Sequence, residues 1–308
     1  MNIKRYVKYN IFITVILIVS LLCLSNYYNK NLDNGIKKFK IYEKLNEKSI
    51  SIVNIGSSHG MLGIISDSNN IMNLANSAQN YYYDLKLLKK YSDKIEEDAI
   101  VIIPVSIFSF YNREQNTIDK NYIKILEFQD IKNISKKDYL LEKYLSAVFP
   151  INNLGKILQS SFLVSKKEVE IISEEERKKG VSKIVNYHLG INGSKIYSVK
   201  NSEEDFKKLL LYIKSKSWIP ILITTPFTYI YNNEIERVYK EAYDERIYKS
   251  IEIATKELGD ILYLDYSHDE RFINNLEYFS DSDHLNKEGA EYFSQILLSD
   301  IKDKVGDR

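Results

Sequence analysis

The sequence predicts an α/β protein, a doubly wound parallel sheet with flanking helices, preceded by one N-terminal transmembrane helix. Three observations support this prediction. First, short runs of apolar and β-branched residues alternate with helical patterns after residue 49. Second, 11 glycines and 4 prolines in 308 residues exclude collagen-like and linker-rich chains. Third, the N-terminal region contains a long stretch without any charged residue.

That uncharged stretch runs from Tyr9 to Asn29 and holds 21 residues. At 1.5 Å per residue it spans about 30 Å, the thickness of the hydrocarbon core of a bilayer. Lys4, Arg5 and Lys8 precede it, and no acidic residue comes before Asp33. By the positive-inside rule, the N-terminus then lies in the cytoplasm and the remainder outside.

We therefore expect a cytoplasmic tip at 1–8, a signal anchor at 9–29 and a stalk at 30–48, with the chain in the cell membrane as a single-pass protein. A cleaved signal peptide is the alternative, because it shares the charge, the apolar run and the polar flank. No small-x-small cleavage site is present at 22–28, which favours the uncleaved anchor.

Charge and cysteine content limit the partners. The whole chain has 43 basic and 42 acidic residues, so removing the three basic residues of the tip leaves 40 against 42, a net of −2. Such a balance argues against nucleic acid as a partner. Cys23, the only cysteine, lies in the apolar stretch, which excludes a disulfide framework and a cysteine-based zinc site. No cofactor is predicted.

The α/β domain is expected at 49–308, with an insertion at about 106–201 that contains a solvated charge run at 165–179. Strands are predicted at 51–55, 99–105, 219–224 and 260–266. Helices are predicted at 81–95, at 203–216 with Ser202 as N-cap, at 234–257, and at 287–301 with Asn286 at its start. Ligands of such sheets bind at the carboxyl ends of the strands, so residues that directly follow a strand are the candidates for function.

The first such candidate is the segment Gly56-Ser57-Ser58-His59-Gly60, which directly follows the first strand. A tight turn from strand to helix presents a hydroxyl at the edge of the sheet. A serine hydroxyl needs a base within hydrogen-bonding distance and an acceptor that orients this base. Ser58 is the candidate nucleophile, and Ser57 is the alternative.

The second candidate lies between the last strand and the last helix and reads Phe279-Ser-Asp-Ser-Asp-His-Leu-Asn286. Asp281 precedes His284 by three residues and can fold back across one turn to accept the Nδ1 proton. The Nε2 atom of His284 is then left to face the serine. The adjacent Asp283 is expected to point away and to support the N-terminus of the last helix.

Together, the GSSH segment and the segment DSDHLNKEGA resemble the GDSL or SGNH hydrolase superfamily. The resemblance implies Ser58 as nucleophile, His284 as base and Asp281 as the acid of a triad. Ser57 stands where the family has aspartate. The glycine of the second family block corresponds to Ala75. The asparagine of the third block is absent, and Ser106-Ile107-Phe108 follows that strand instead.

The resemblance implies an oxyanion hole formed by the backbone N–H groups of Ser58 and Ala75. Asn76, Ser77 or Ser106 are the alternatives for the missing asparagine. Loss of one such donor typically lowers the rate by about 10²- to 10³-fold. His59 and Ser106 are predicted to contact substrate.

In layout the chain is similar to DltD-like membrane-anchored proteins. This similarity implies an extracytoplasmic serine esterase or acyltransferase acting on acyl esters of a cell-surface polysaccharide or teichoic acid. The alternative is a catalytically inactive envelope module that keeps the fold and binds a glycan or a biosynthetic partner.

The remaining histidines, His188 and His268, are interpreted as solvent-exposed or packing residues. Four side chains that could converge on a metal ion are those of Asp281, Asp283, His284 and His59. A calcium loop does not fit, because Leu285, Asn286 and Tyr292 occupy its fifth, sixth and twelfth positions. No metal site is predicted.

Overall fold

The computed structural model describes residues 3–31, 34–65, 71–110, 120–145, 172–192, 195–196, 200–256 and 258–306. The chain divides into two compact units, Met1–Lys44 with Gln115–Glu168 and Leu45–Glu114 with Val169–Arg308. The predicted insertion at 106–201 is thus shared between the units, and the predicted domain limits stay predictions.

The helices, in chain order, are α1 Ile3–Asn31, α2 Asn34–Tyr42, α3 Ser58–Gly63, α4 Tyr81–Lys90, α5 Lys120–Ile125, α6 Lys136–Tyr144, α7 Glu174–Leu189, α8 Lys200–Ser215, α9 Tyr229–Val238, α10 Lys249–Thr255 and α11 Lys287–Val305. The strands are β1 Ile50–Asn54, β2 Ile71–Asn73, β3 Ile95–Pro104, β4 Ile191–Asn192, β5 Lys195–Ile196, β6 Ile219–Thr224 and β7 Leu262–Asp265. Short 3₁₀ turns lie at Phe128–Asp130 and Leu276–Tyr278, and a π-helical turn lies at Asp244–Tyr248.

The first unit contains α1, α2, α5 and α6. Among the described residues, α1 is the one helix long and apolar enough to cross a membrane, over Ile3–Tyr27. Helix α2 packs against α1 and α5, and α1 also contacts α6. Helix α6 begins at the N-cap Ser135, whose side chain accepts the N–H of Asp138 at 3.0 Å.

The second unit contains a parallel sheet with the order β2-β1-β3-β6-β7. Numbered by their sequence order within this sheet, the strands lie 2-1-3-4-5, the flavodoxin-like order of doubly wound folds. The predicted fold class is therefore confirmed. The central strands are buried on both faces, as expected from the near-continuous apolar runs in β3 and β6. A separate antiparallel pair joins β4 and β5.

Several predicted element limits are wrong, each for a local reason. The helix expected at 81–95 ends at Lys90, because Ile95 already pairs with Ile50 in the sheet. The helix expected at 234–257 is broken after Val238, because Tyr239 leaves the helical conformation with φ −154° and ψ 88°. Helix α8 begins at Lys200, so Ser202 does not cap it.

The predicted charge run at 165–179 is partly a helix rather than a solvated loop. Helix α7 begins inside it with a capping box, in which the Ser173 side chain accepts the N–H of Glu176 and the Glu176 side chain accepts the N–H of Ser173. Arg177, Val181, Val185 and Leu189 are buried along one side of this helix.

Helix α11 confirms its predicted start, since the Asn286 side chain accepts the N–H of Gly289 at 2.9 Å. At Gly289 the helix passes so close to the preceding segment that a Cβ atom would lie 2.2 Å from the Tyr278 carbonyl oxygen. We expect Gly289→Ala to lower the free energy of unfolding by about 3 kcal/mol, measured by denaturant titration of the full chain.

Gly180→Ala is the matched control for this substitution. Gly180 also lies in a helix, but a Cβ atom there meets nothing within 4 Å. The same change should therefore raise stability by about 0.5 to 1 kcal/mol, through helix propensity alone. Equal effects of the two substitutions would contradict the close approach at Gly289.

Candidate active site

The candidate nucleophile lies in the turn between β1 and α3. Gly56 has φ +102°, and a Cβ atom on it would lie 3.2 Å from Cδ of Pro104 at the end of β3. Only glycine meets both conditions without strain. The turn makes Ser58 the first residue of α3, where its side chain is half-buried, whereas Ser57 is buried.

Polar side chains beneath this turn fix its shape. The Gly56 N–H donates to Asp84 Oδ1 at 2.8 Å, and Asn54 Nδ2 donates to the Gly60 carbonyl at 2.8 Å. Burial raises the pKa of Asp84 to about 7, against the hydrogen bonds from Gln79 and Gly56, which lower it. The turn is thus held by buried groups rather than by surface contacts.

His284 connects Ser58 to Asp281. Its Nε2 atom lies 2.8 Å from Ser58 Oγ, and its Nδ1 atom lies 2.9 Å from Asp281 Oδ2. Asp281 Oδ1 also accepts the backbone N–H groups of Asp283 at 3.0 Å and of His284 at 2.7 Å. An ionised Asp281 requires the proton on Nδ1, so Nε2 is free to accept the serine proton.

The electrostatic surroundings make His284 a stronger base than an ordinary histidine. Burial lowers the pKa of His284, but the hydrogen bond to Asp281 and the charges of Asp283 and Asp281 outweigh burial and raise it overall. The three residues predicted as a triad, Ser58, His284 and Asp281, are therefore brought together in the order that proton transfer from a serine requires.

Arg177 positions the loop that carries Asp281 and His284. Its guanidinium is buried, with 3% of the residue exposed. It donates to the carbonyl oxygens of Phe279 at 2.8 Å and Leu276 at 3.4 Å, and to that of Asp281. The sequence predicts this arginine in a solvated charge run, but it lies on the buried face of α7, four residues before Val181.

We expect Arg177→Ala to lower the free energy of unfolding by about 3 kcal/mol, because it leaves buried carbonyl groups without a donor. Arg237→Ala is the control. The Arg237 side chain is 65% exposed and pairs with Glu234, so its loss should leave the unfolding midpoint close to that of the wild type. Denaturant titration of both variants measures the difference, and an Arg177→Ala variant as stable as the control would contradict the positioning role.

Asp283 is the main correction to the predicted site. The sequence predicts that it points away from His284, yet it is 1% exposed and its Oδ2 atom lies 3.1 Å from Nε2 of His59. The same oxygen lies 3.7 Å from Nδ1 of His188. Burial works against the charge of Asp283, but His59 and the neighbouring imidazoles outweigh it and hold its pKa below the usual range.

His188 and His59 form a cluster with Asp283 and His284. His188 was interpreted as a solvent or packing residue, but it comes from α7 to lie near Asp283, and its Nδ1 atom is 2.6 Å from the Tyr231 hydroxyl. Burial lowers the pKa of His188 to about 4 and lowers that of His59 as well, with the nearby His284 acting in the same direction. Both rings are therefore neutral near pH 7.

The metal site considered from the sequence meets a geometric difficulty. Ligand atoms of His59, Asp283 and His284 lie within 4.8 Å of one another. The rings of His59 and His284 are stacked, with centroids 4.5 Å apart and planes 19° apart. Since ring lone pairs lie in the ring planes, two nearly parallel rings cannot both direct one at a single ion. The cluster suits a hydrogen-bonded network better.

The predicted oxyanion donors differ in the hydrogen bonds they make within the protein. In the described part of the chain, the Ser58 N–H makes no hydrogen bond to another group. The Ala75 N–H instead donates to Asn73 Oδ1 at 3.1 Å, which does not support its predicted role. The Asn76 N–H donates to the Gly56 carbonyl at 3.0 Å, and Asn76 Oδ1 accepts the Ser77 N–H at 2.9 Å.

The two predicted substrate contacts also have partners within the protein. His59 is 3% exposed and bonded to Asp283. Ser106 is 4% exposed, and its hydroxyl lies 3.1 Å from the Ser109 hydroxyl. Phe108, from the same loop, packs against the rings of His59 and His188 with centroids 5.0 and 4.5 Å away. His268 is exposed, as predicted.

Comparisons with known proteins add little to this geometry. No family model matches the chain, and no curated protein does. A candidate acylhydrolase from Bacteroides fragilis is similar in structure at 13% identity and a TM-score of 0.41, over 89% of this chain and 99% of that one. A GDSL-like lipase from Bacteroides thetaiotaomicron is similar at 12% identity and a TM-score of 0.42, over 88% and 98%. The fold assignment rests on strand order and register.

Proposed function

We propose that this chain is a serine esterase or acyltransferase that acts on ester bonds. The observation that supports this most is the continuous path from Ser58 Oγ through His284 to Asp281, at 2.8 and 2.9 Å. These distances lie within the range that general-base transfer needs in a reactive complex. The path lies at the carboxyl edge of the sheet, where doubly wound folds bind ligands.

In the proposed reaction, Ser58 Oγ attacks the ester carbonyl while His284 Nε2 takes the hydroxyl proton. The imidazolium is stabilised by Asp281, whose orientation is fixed by two backbone N–H groups. The Ser58 N–H is the donor available to the oxyanion. His284 then returns the proton to the leaving alcohol. In the second half of the reaction it activates water or an acceptor hydroxyl that releases the acyl group from Ser58.

We further propose that α1 anchors the chain in the cell membrane, with the remainder outside the cytoplasm. The apolar length of α1 and the basic residues Lys4, Arg5 and Lys8 before its uncharged part support this orientation. A DltD-like relation and a substrate among the acyl esters of a cell-surface polysaccharide or teichoic acid rest on the resemblance of the motifs and on the anchor. Either water or a polymer hydroxyl would serve as acceptor.

A catalytically inactive envelope module that binds a glycan or a partner is the second candidate. The observation that favours it is the hydrogen bond from the Ala75 N–H to Asn73, which occupies a predicted oxyanion donor. Together with the missing asparagine after β3, this leaves the oxyanion with fewer donors than the family provides.

A fluorophosphonate probe distinguishes the two candidates. Applied to the full chain in detergent at pH 8, the enzyme should form a covalent adduct at Ser58, located by peptide mass spectrometry. The adduct should be lost in both Ser58→Ala and His284→Ala. No adduct on the folded wild-type chain between pH 6 and 9 would favour the inactive module.

A further inference from the structure

Asp283 is a buried anion that the triad does not use. Its Oδ2 atom pairs with His59, while its Oδ1 atom has no hydrogen-bond partner in the described part of the chain and lies 3.6 Å from His284 Nδ1. A buried carboxylate oxygen without a partner costs free energy unless a charge nearby compensates for it. The positive charge that forms closest to this oxygen during the proposed reaction is the imidazolium of His284.

We propose that Asp283 is a second positioning acid of this site, which supports the His284 imidazolium alongside Asp281 and holds His59 against the face of the His284 ring. This inference rests on the proposed function. Two acids, Asp281 and Asp283, then act on His284, whereas the motif resemblance implies only Asp281.

The difference in burial explains why a more distant acid contributes. The Asp281 side chain is 37% exposed, so water screens its charge, whereas the Asp283 side chain is 1% exposed. Charge interactions weaken only inversely with distance but strengthen several-fold in surroundings of low polarity. A charge at 3.6 Å inside the protein therefore still supports the imidazolium, although Asp281, at 2.9 Å, also makes the hydrogen bond to it.

The other groups that face Asp283 leave its charge available to His284. They are His59 from α3, His188 from α7, Tyr231 from α9, and Asp281 and His284 from its own loop. Burial keeps His59 and His188 neutral near pH 7, and Tyr231 is a neutral phenol. Arg177 donates to the carbonyl oxygen of Asp281 and not to the Asp283 carboxylate.

His59 transmits the positioning effect. The His59 ring stacks on that of His284, with centroids 4.5 Å apart. Phe227 lies edge-on against the His59 ring, with centroids 5.4 Å apart. The hydrogen bond from His59 Nε2 to Asp283 fixes the plane of the stacked ring. Rotation of His284 away from Ser58 would have to disturb this stack.

The test measures how the rate of fluorophosphonate labelling of Ser58 depends on pH between 5 and 9. In labelling, a bond forms from Ser58 Oγ to phosphorus, fluoride leaves, and His284 takes the proton. The acid limb of the pH profile, where the labelling rate falls towards low pH, therefore reports protonation of His284. The full chain in detergent is compared with Asp283→Asn, which keeps the shape and removes the charge. His59→Gln is the matched variant, because it removes the ring that stacks on His284, leaves an amide donor beside Asp283 and keeps the Asp283 charge.

We expect the acid limb of Asp283→Asn to lie at lower pH, because a negative charge that favoured the protonated ring is lost. The ratio of the labelling rate at low pH to the plateau rate should rise about tenfold. The plateau rate itself should fall about three- to tenfold, because a weaker base takes the proton less readily. His59→Gln should lower the plateau rate without moving the acid limb to lower pH.

Titration of the ring nitrogens by NMR gives an independent readout, since the chain has four histidines and each signal can be assigned by substitution. The His284 signal should titrate at lower pH in Asp283→Asn. Unchanged acid limbs and an unchanged His284 titration would overturn the inference, as would equal shifts in Asp283→Asn and His59→Gln. Failure of the folded wild-type chain to label at all would instead contradict the proposed function.

Discussion

Replacing His284 with alanine is expected to lower the rate of ester hydrolysis by about 10⁵- to 10⁶-fold, because Ser58 then loses the base that accepts its proton. The measurement is the turnover of 4-nitrophenyl acetate by the full chain at pH 8, corrected for spontaneous hydrolysis. The Nε2 atom of His284, 2.8 Å from Ser58 Oγ, is the only described imidazole nitrogen with a hydrogen bond to that hydroxyl. No other histidine can therefore take over without rearrangement.

His268→Ala is the control for this loss. His268 is exposed, and its Nδ1 atom is hydrogen-bonded to the Ser267 hydroxyl at 2.8 Å. The substitution therefore removes an imidazole that makes no contact with Ser58. Its rate should stay within about twofold of the wild type. A His284→Ala variant that folds and keeps more than a tenth of the activity would exclude the triad as the source of catalysis.

Asp281→Asn is expected to lower the rate by about 10³- to 10⁴-fold while the protein stays folded. The asparagine Oδ1 atom can still accept the N–H groups of Asp283 and His284, so the loop keeps its shape. Its Nδ2 group, however, donates where a carboxylate accepted. The proton of His284 then moves to Nε2, which can no longer accept the proton of Ser58.

Asp269→Asn provides a matched comparison, because the Asp269 carboxylate also accepts a backbone N–H two residues later, that of Arg271 at 2.9 Å. This aspartate pairs with Arg271 on the surface, and in the described part of the chain no hydrogen bond joins its carboxylate to a histidine, since the neighbouring His268 pairs with Ser267. Its rate should change by less than about twofold. Steady-state kinetics of both variants, together with their unfolding midpoints, separate loss of catalysis from loss of fold. Equal rates in the two variants would remove Asp281 from the proposed mechanism.

The long buried strands could be predicted from the sequence, and the short or interrupted elements could not. Strand β6 lies at its predicted residues because a continuous apolar run suits a strand covered on both faces. Strand β2 has three residues, Ile71–Asn73, too few for any periodicity to appear. The break after Val238 depends on the conformation of Tyr239 and leaves no glycine or proline signal in the sequence.

Within the site, the spacing along the chain predicted that Asp281 lies beside His284. The directions of side chains that come from other elements could not be predicted from the sequence. The three-residue separation of Asp281 and His284 does correspond to a hydrogen bond. Asp283 turns inward because the loop folds around Asp281 Oδ1, which its own N–H approaches to 3.0 Å. The signal that could have found His188 is its place one turn after Ile184 and Val185, beside the apolar stripe of α7.

The division of the chain into interleaved units affects how the protein can be assembled and studied. The helices α1 and α2 are synthesised first, yet α5 and α6, against which they pack, come only after β3. A fragment that starts at residue 45, and so lacks the apolar helix α1, would carry residues 115–168 without the N-terminal helices of their own unit. Buried apolar side chains of α5, such as Ile123 and Ile125, would lose part of their covering, and exposed apolar surface promotes aggregation. Removing α1 and α2 thus also divides one of the two compact units, so the intact chain is the proper material for the experiments above.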